Sequence, residues 1–155
     1  MIVHLMKALT TWIYCKITMS FTPEMIERLQ PNEVFVFGSN INGQHCSGAA
    51  RTAYEHFGAV WGKGVGIQGC SYAIPTMQGD VNLLRLYVDD FIDYASTHPD
   101  LIFLVTRVGC GIAGYKDYQI APLFVDALKL KNVTLPYTFV RSLLSPTMID
   151  TFQNH

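Results

Sequence analysis

The sequence predicts an α/β fold, namely a three-layer α/β/α sandwich around a mixed, largely parallel sheet. Short apolar runs at 34–37 and 101–105 are typical of strands that are covered on both faces. They alternate with segments whose apolar residues recur at helical spacing, as in 84–95. All 12 glycines lie between positions 38 and 114. Because glycine permits tight turns and close backbone approach, we expect the functional loops in that middle stretch.

The first predicted element is a short helix that ends at Arg28. Either Ser20 or Thr22 can cap it. Pro23 and Glu24 suit its first turn, where proline loses no hydrogen bond and an acidic side chain faces the positive end of the helix dipole.

The next predicted elements belong to the glycine-rich middle of the chain. A buried strand at 33–40 runs into a turn, and Ser47 caps a helix that continues to Phe57. The segment "WGKGVGIQG" at 61–69 predicts a flexible hairpin or loop. Residues 71–76 then predict a second strand, which a proline stops.

The remaining elements continue the alternation of helix and strand. A helix begins at Asp80 and ends before the His-Pro pair at 98–99. Residues 101–105 predict a buried strand, and 117–130 a further helix. The last predicted element is a strand at 132–140, whose internal proline indicates an edge or a bulge.

Composition limits the classes of protein to which the chain can belong. It has 155 residues, of which 50% are hydrophobic and 15% are charged, as expected for one folded domain. The net charge is −1 and lysine and arginine are not clustered, which argues against nucleic-acid binding through a basic patch. The 4 cysteines include no CxxC pair, so we expect no disulfide framework and a cytoplasmic location. No metal-ligand spacing is present, so we predict neither a metal site nor a cofactor.

We place a single domain at 19–155 and interpret 1–18 as a leader or an extra N-terminal element. The first 18 residues are moderately apolar, but His4, Lys7 and Lys16 interrupt the run. The run is too short to span a bilayer and lacks a small-residue cleavage site. We therefore expect no membrane association.

The pair His45-Cys46, with Arg51 shortly after it, invites comparison with the phosphate loop of a cysteine phosphatase. That class has five residues between the cysteine and the arginine, whereas residues 47–50 alone separate Cys46 from Arg51. One residue rotates a helical side chain by about 100°, so the arginine would point away from a phosphate above the thiol. We therefore expect Cys46 to be a small, partly buried thiol and not a nucleophile.

Two segments instead combine a buried strand, a glycine-rich loop and a helix. The first continues from the strand at 35–37 into "GSNINGQHCSG", and the second continues from 103–105 into "RVGCGIAGY". Each places free N–H groups and a helix dipole at the carboxyl edge of the sheet, and this geometry binds phosphates. Two such loops suit a ligand with two phosphates, such as a diphosphate-bridged nucleotide.

These two loops resemble the signature loops of the macrodomain family, the ADP-ribose-binding α/β/α module, over roughly residues 33–130. The resemblance implies that Asn40 contacts a ribose, and that the first loop holds the distal ribose and one phosphate. It also implies that the second loop holds the diphosphate, with Ala113 where the family usually has an aromatic residue. The residues that it assigns to ligand binding are Gly38, Ser39, Asn40, Gly43, Cys46, Ser47 and Gly48 in the first loop, and Gly109, Cys110, Gly111, Ile112, Ala113, Gly114 and Tyr115 in the second.

Two functions remain open at this point, and both take a small, ADP-ribose-like nucleotide as partner. The first is binding of ADP-ribose or a related diphosphate-containing nucleotide, to which Arg107 could add a cation. The second is hydrolysis of ADP-ribose from a protein, a nucleic acid or a small metabolite. For hydrolysis the resemblance implies that Asn40 positions a water and that His45, at the pocket rim, transfers a proton. Neither loop contains a carboxylate to act as general base, so binding is the leading prediction; the oligomeric state stays open.

Overall fold

A five-stranded sheet lies at the centre of the structure, a computed structural model that describes residues 20–144. Its strands are β1 (Glu33–Ser39), β2 (Gly66–Gln68), β3 (Ser71–Pro75), β4 (Ile102–Val105) and β5 (Val133–Thr134). Their order in the sheet is β2-β3-β1-β4-β5. Every neighbouring pair is parallel except β2 and β3, which are antiparallel. The sheet is therefore mixed and mostly parallel, as the sequence predicts.

β1 occupies the middle of the sheet, and its side chains alternate between the two faces. Phe35 and Phe37 belong to a core cluster on one face, whereas Val34 and Val36 belong to a larger cluster on the other. All four side chains are buried. Burial on both faces explains why this strand is an unbroken apolar run and not an alternating one.

Within residues 20–144, four α-helices and one 3₁₀-helix cover the sheet. They are α1 (Gly48–His56), α2 (Val81–Ser96), α3 (Asp117–Ile120), the 3₁₀-helix (Ala121–Lys129) and α4 (Tyr137–Leu143). Ala53 of α1 packs with the phenylalanines of β1. Phe91 of α2, Phe124 of the 3₁₀-helix and Phe139 of α4 pack against the opposite face. Helices on both faces of a mostly parallel sheet define an α/β fold and are compatible with the three predicted layers.

The predicted start of the longest helix is confirmed. The Asp80 carboxylate accepts hydrogen bonds from the backbone N–H groups of Asn82 at 3.0 Å and Leu83 at 3.1 Å. These bonds satisfy two donors that have no partner within the helix. Leu84, Val88 and Phe91 then follow one another at helical spacing on the buried face of α2.

The helix predicted to end at Arg28 is wrong. The backbone N–H of Thr22 donates to the Leu135 carbonyl at 3.0 Å, and Thr22 pairs with Pro136 as an isolated parallel bridge. Further along, Ile26 and Leu29 pack against the β1 phenylalanine cluster without forming a helix. Pairing with a distant part of the chain outweighs the weak local preference for a helix, and residues near 22 cover the edge of the sheet beyond β5.

The strand predicted at 132–140 is right only at its beginning. Val133 and Thr134 pair with β4, and the chain then turns at Pro136 into α4. Proline is well suited to the start of a helix, because the N–H that it lacks would have no partner there. Phe139, Val140 and Leu143 are buried by this helix, so the apolar run reflects a helix face and not a strand.

Two other predicted segments differ in detail. The predicted helix at 117–130 is divided into α3 and the 3₁₀-helix, which has a proline in its first turn. The segment 61–69 was predicted to be a flexible hairpin or loop, and its end forms a hairpin, because β2 pairs antiparallel with β3.

The leader predicted at 1–18 lies outside the described residues. Within residues 20–144, the helices are too short or too polar to cross a bilayer. The same part of the chain brings no three histidine, cysteine or acidic side chains together as a metal site.

Candidate functional site

A cleft of about 320 Å³ opens at the carboxyl ends of β1 and β4. The two strands are parallel neighbours in the sheet, so the loops that follow them leave the sheet at the same edge. We call residues 40–47 the first loop and residues 106–116 the second loop. The Thr106 hydroxyl donates to the Val36 carbonyl at 2.8 Å and ties the start of the second loop to β1. A Cβ added at Gly38 would lie 3.4 Å from the Gly109 nitrogen, so the end of β1 and the second loop meet at the base of the cleft.

The cleft brings together residues of both loops that the sequence assigned to ligand binding. From the end of β1 to the start of α1 these are Gly38, Ser39, Asn40, Cys46, Ser47 and Gly48, and from the second loop Gly109, Gly111, Ile112 and Ala113. Arg107, which the sequence suggested as a cation for the ligand, also lines the cleft. Other lining residues were not assigned, namely Gln44, Ala49, Ala50, Thr76, Met77, Thr106 and Val108. Thr76 and Met77 follow β3, the other parallel neighbour of β1. The rule that ligands bind at the carboxyl ends of parallel strands would have identified Thr76 and Met77 as well, once the strand order was known.

The first wall of the cleft is the N-terminus of α1. The backbone N–H groups of Gly48, Ala49 and Ala50 make no hydrogen bond with another described residue. Ser47 occupies the N-cap position, but its side chain makes no capping bond, and no acidic residue lies in the first turn. The positive end of this helix dipole is therefore open to a ligand.

The second wall is the glycine turn after β4. Hydrogen bonds from Cys110 N to Arg107 O and from Gly114 N to Gly111 O fold this turn, at 3.1 and 3.0 Å. Within it, the N–H groups of Gly111, Ile112 and Ala113 have no partner among residues 20–144. Consecutive unpaired N–H groups in a turn form a concave site for anions.

The charged groups at the cleft favour an anionic ligand. The lining residues include no aspartate or glutamate, and Arg107 is their one cation. Its guanidinium donates to both carboxylate oxygens of Asp117, at 3.1 and 2.8 Å, while its side chain stays 54% exposed. Burial raises the pKa of Asp117, but hydrogen bonds from Arg107 and Thr138 and the arginine charge outweigh burial and lower it overall. Asp117 therefore orients Arg107 beside the second loop.

Asn40 has a structural role in the first loop. Its side-chain Nδ2 donates to the Gln44 carbonyl at 2.8 Å, and its Oδ1 accepts from the Gln44 N–H at 2.9 Å. Both ends of the amide are therefore used within the loop, as in turns that asparagine stabilises. Asn40 does line the cleft, but its clearest function is to shape the first loop, which leads into the first wall.

The predicted position of His45 at the pocket rim is wrong. Its side chain is 1% exposed, and its ring packs edge-to-face on Phe37 and on Trp61. The Nε2 atom lies 2.9 Å from the Val60 carbonyl oxygen. His45 is thus directed into the protein under the first loop, while Gln44 and Cys46 on either side of it line the cleft. The sequence contained no local signal for this burial, because residues well beyond the first loop create it.

Four further residues assigned to ligand binding lie outside the cleft. Gly43 and Gly114 adopt positive φ values of 65° and 79° and shape their turns. The Tyr115 hydroxyl donates to the Gly79 carbonyl at 2.6 Å. The Cys110 thiol is half-buried, and burial together with the charge of Asp117 raises its pKa to about 11. Each of these residues therefore supports the shape of its loop from outside the cleft.

The prediction that Cys46 is partly buried is also wrong, because its thiol is exposed in the cleft. Arg51 donates to Glu55 at 2.7 Å on the surface of α1 and does not line the cleft. The arrangement required of a cysteine phosphatase, with thiol and guanidinium facing one phosphate, is therefore not present at these two residues.

Comparisons with protein-family models, with curated proteins and with solved structures found no match to this chain. The resemblance to macrodomains therefore rests on the two loops themselves.

Proposed function

We propose that the protein binds a nucleotide with a diphosphate bridge, ADP-ribose or a close relative, in the cleft between the two loops. One observation carries the proposal: unpaired backbone N–H groups line two walls of the same cleft, and no carboxylate lies between them. An anion would supply the acceptors that these donors lack, and such charge-assisted hydrogen bonds are about twice as strong as neutral ones. Two sets of donors suit two phosphoryl groups.

The dimensions and the rim of the cleft fit a nucleotide that is partly outside it. A volume of about 320 Å³ lies near the small end of the range for small-molecule sites. Met77 and Ile112 line the cleft and expose 49% and 72% of their surface. They would offer apolar contacts to a sugar or base that projects from the phosphates. The resemblance of the loops to those of macrodomains adds the choice of ADP-ribose among such nucleotides.

Binding ranks ahead of hydrolysis. The cleft lining within residues 20–144 offers neither a carboxylate nor an imidazole to activate a water. His45 faces away from the cleft, and the Asn40 amide is engaged with Gln44. We therefore propose a binding protein and treat release of ADP-ribose from a conjugate as the alternative.

The test uses Gly111, the position in the second loop best suited to substitution. A Cβ there would meet nothing within 4 Å, and its φ is not in the left-handed region. Gly111→Asp would place a negative charge beside the unpaired N–H groups, whereas Gly111→Asn adds a side chain of the same size without the charge. We expect Gly111→Asp to weaken binding of ADP-ribose at least about tenfold more than Gly111→Asn does, measured by titration calorimetry.

AMP and inorganic pyrophosphate serve as further probes in the same titrations. The proposal expects AMP to bind more weakly than ADP-ribose because it presents one phosphoryl group. No heat of binding with any of the three probes, or equal affinities for the Gly111→Asp and Gly111→Asn proteins, would contradict it.

A further inference from the structure

We infer that residues 60–64, here named the brace, hold the first loop in its binding shape through His45, and that protonation of His45 releases the loop and weakens ligand binding. This inference rests on the proposed function, because the affected property is binding in the cleft. The brace itself does not line the cleft. It would act through the first loop, so His45 is a positioning residue and does not touch the ligand.

The brace and the first loop are in direct backbone contact. Gly62 N donates to Gly43 O at 3.0 Å. Just before the first loop, at the end of β1, the Ser39 hydroxyl also donates to the Gly64 carbonyl. A Cβ at Gly64 would overlap the Asn40 carbonyl oxygen, and a Cβ at Gly43 would overlap the Lys63 backbone. The two segments are therefore as close as two backbones can be, which requires glycine on each side.

His45 makes the one side-chain hydrogen bond from the first loop to the brace among the described residues. The Val60 carbonyl can only accept, so the contact at 2.9 Å requires a proton on Nε2 of His45. The neutral ring then carries its lone pair on Nδ1. Nδ1 is buried and has no hydrogen-bond partner in the described part of the chain. Neutral His45 is thus compatible with this position at the cost of one unpaired acceptor.

A second proton would have to bind at Nδ1, where it would create a buried donor and a buried charge. The groups around the ring offer no compensation. Tyr54 of α1 is the titratable side chain against it, with ring centroids 6.4 Å apart, and the other ring neighbours are Phe37 and Trp61. The one charged residue of the brace, Lys63, donates to Ile67 O instead. An unpaired charge in such a site is costly, so the ring would move toward water.

Movement of His45 would change the first wall of the cleft. The residues before and after it, Gln44 and Cys46, both line the cleft. The same segment leads directly into the open N-terminus of α1. A displaced first loop would therefore misalign one of the two sets of N–H donors that the proposed diphosphate needs.

The test compares the pH dependence of ADP-ribose affinity in the wild type, His45→Gln and His45→Leu. Glutamine keeps a donor for Val60 O but takes up no proton, and leucine removes the donor. ADP-ribose is a suitable probe because each of its phosphoryl groups has one ester and one anhydride bond, which leaves one strongly acidic oxygen whose charge stays constant across this range. We expect wild-type affinity to fall about tenfold from about pH 8 to about pH 5. His45→Gln should bind with nearly equal affinity at both values, and His45→Leu should bind weakly at both. The same loss of affinity in His45→Gln as in the wild type, or wild-type affinity in His45→Leu, would overturn the inference.

Amide hydrogen exchange of residues 40–47 provides a readout that needs no ligand. At about pH 5 the first loop should exchange faster in the wild type than in His45→Gln, after comparison at the same pH. Equal exchange in the two proteins would overturn the role of His45 even if ADP-ribose binds. Conversely, the absence of ADP-ribose binding at about pH 8 with the expected difference in exchange would contradict the proposed function alone. If His45→Leu does not fold, the comparison of the wild type with His45→Gln still tests the inference.

Discussion

At the scale of single residues, the thiols of Cys46 and Cys70 provide a matched pair. Both are exposed, but Cys46 lines the cleft and Cys70 does not. We predict that ADP-ribose protects Cys46 from alkylation by iodoacetamide and leaves Cys70 unprotected, because a bound ligand would cover only the first thiol. Peptide mass mapping with and without ADP-ribose measures the extent of alkylation at each of the two cysteines. Equal protection of both cysteines would indicate a general effect on stability and not occupation of the cleft.

Asp117 makes a second prediction at this scale, about pH dependence. Its lowered pKa means that its contribution to stability is complete above about pH 4, where the unfolded carboxylate is also ionised, and is lost as the pH falls through the folded value. Asp117→Asn should therefore lower the free energy of unfolding by about 0.2–1 kcal/mol at neutral pH, a small effect because the ion pair with Arg107 is largely solvated. Urea denaturation at about pH 7 and about pH 3 should show this difference shrink at the lower pH. A difference that stays constant would show that the carboxylate charge is not responsible.

At the scale of helices and strands, α1 and α2 differ in how their first turns are satisfied. Asp80 caps α2 with two hydrogen bonds, whereas Ser47 leaves α1 uncapped. We predict that Ser47→Asp stabilises the protein by about 0.3–1 kcal/mol, because a carboxylate at this end complements the helix dipole. The same carboxylate should weaken binding of ADP-ribose, since it would occupy the donors that the phosphate needs. Thermal unfolding tests the expected gain in stability, and titration calorimetry on the same sample tests the expected loss of affinity for ADP-ribose.

The controls for this prediction come from the same two helices. Ser47→Ala should change stability little, because the hydroxyl makes no capping bond, while Asp80→Ala should cost about 1 kcal/mol. If Ser47→Asp strengthened the binding of ADP-ribose, the phosphates could not lie at the start of α1.

The sequence predicts those elements whose boundaries depend on nearby residues. β1, β3 and β4 are apolar runs, and the helix that Asp80 caps follows from its spacing. The segment before Arg28 was assigned wrongly because Thr22 pairs with Pro136, and no local pattern contains that contact. The segment after Pro136 was assigned wrongly because its apolar residues form one buried face of a helix. The sequence likewise predicts the glycine loops as candidate walls, but the fate of His45 depends on the brace, which lies beyond α1.

At the scale of the whole molecule, stability depends on the larger of the two core clusters. Phe91 of α2 is fully buried. The centre of its ring lies 5.1 Å from that of Tyr72, 5.5 Å from that of Phe103 and 6.3 Å from that of Phe124. Phe91→Ala should lower the free energy of unfolding by about 3–5 kcal/mol, because it removes packing against the sheet and leaves a cavity. Urea denaturation measures the change.

Leu86 is the matched control on the same helix, since it is 60% exposed. Leu86→Ala should change the free energy of unfolding by no more than about 0.5 kcal/mol. A similar loss for both variants would contradict the assignment of the stabilisation to the buried face of α2.

The pairing of β1 with β4 has a consequence for synthesis of the protein. Thr106 bonds to Val36, 70 positions earlier in the chain. A nascent chain that has left the ribosome only as far as β3 contains the first loop and α1 but has no second wall. Because the cleft includes residues up to 113, such a chain lacks the second set of N–H donors on which the proposed diphosphate site depends. The proposed ligand could therefore bind and stabilise the fold only after residue 113 has left the ribosome.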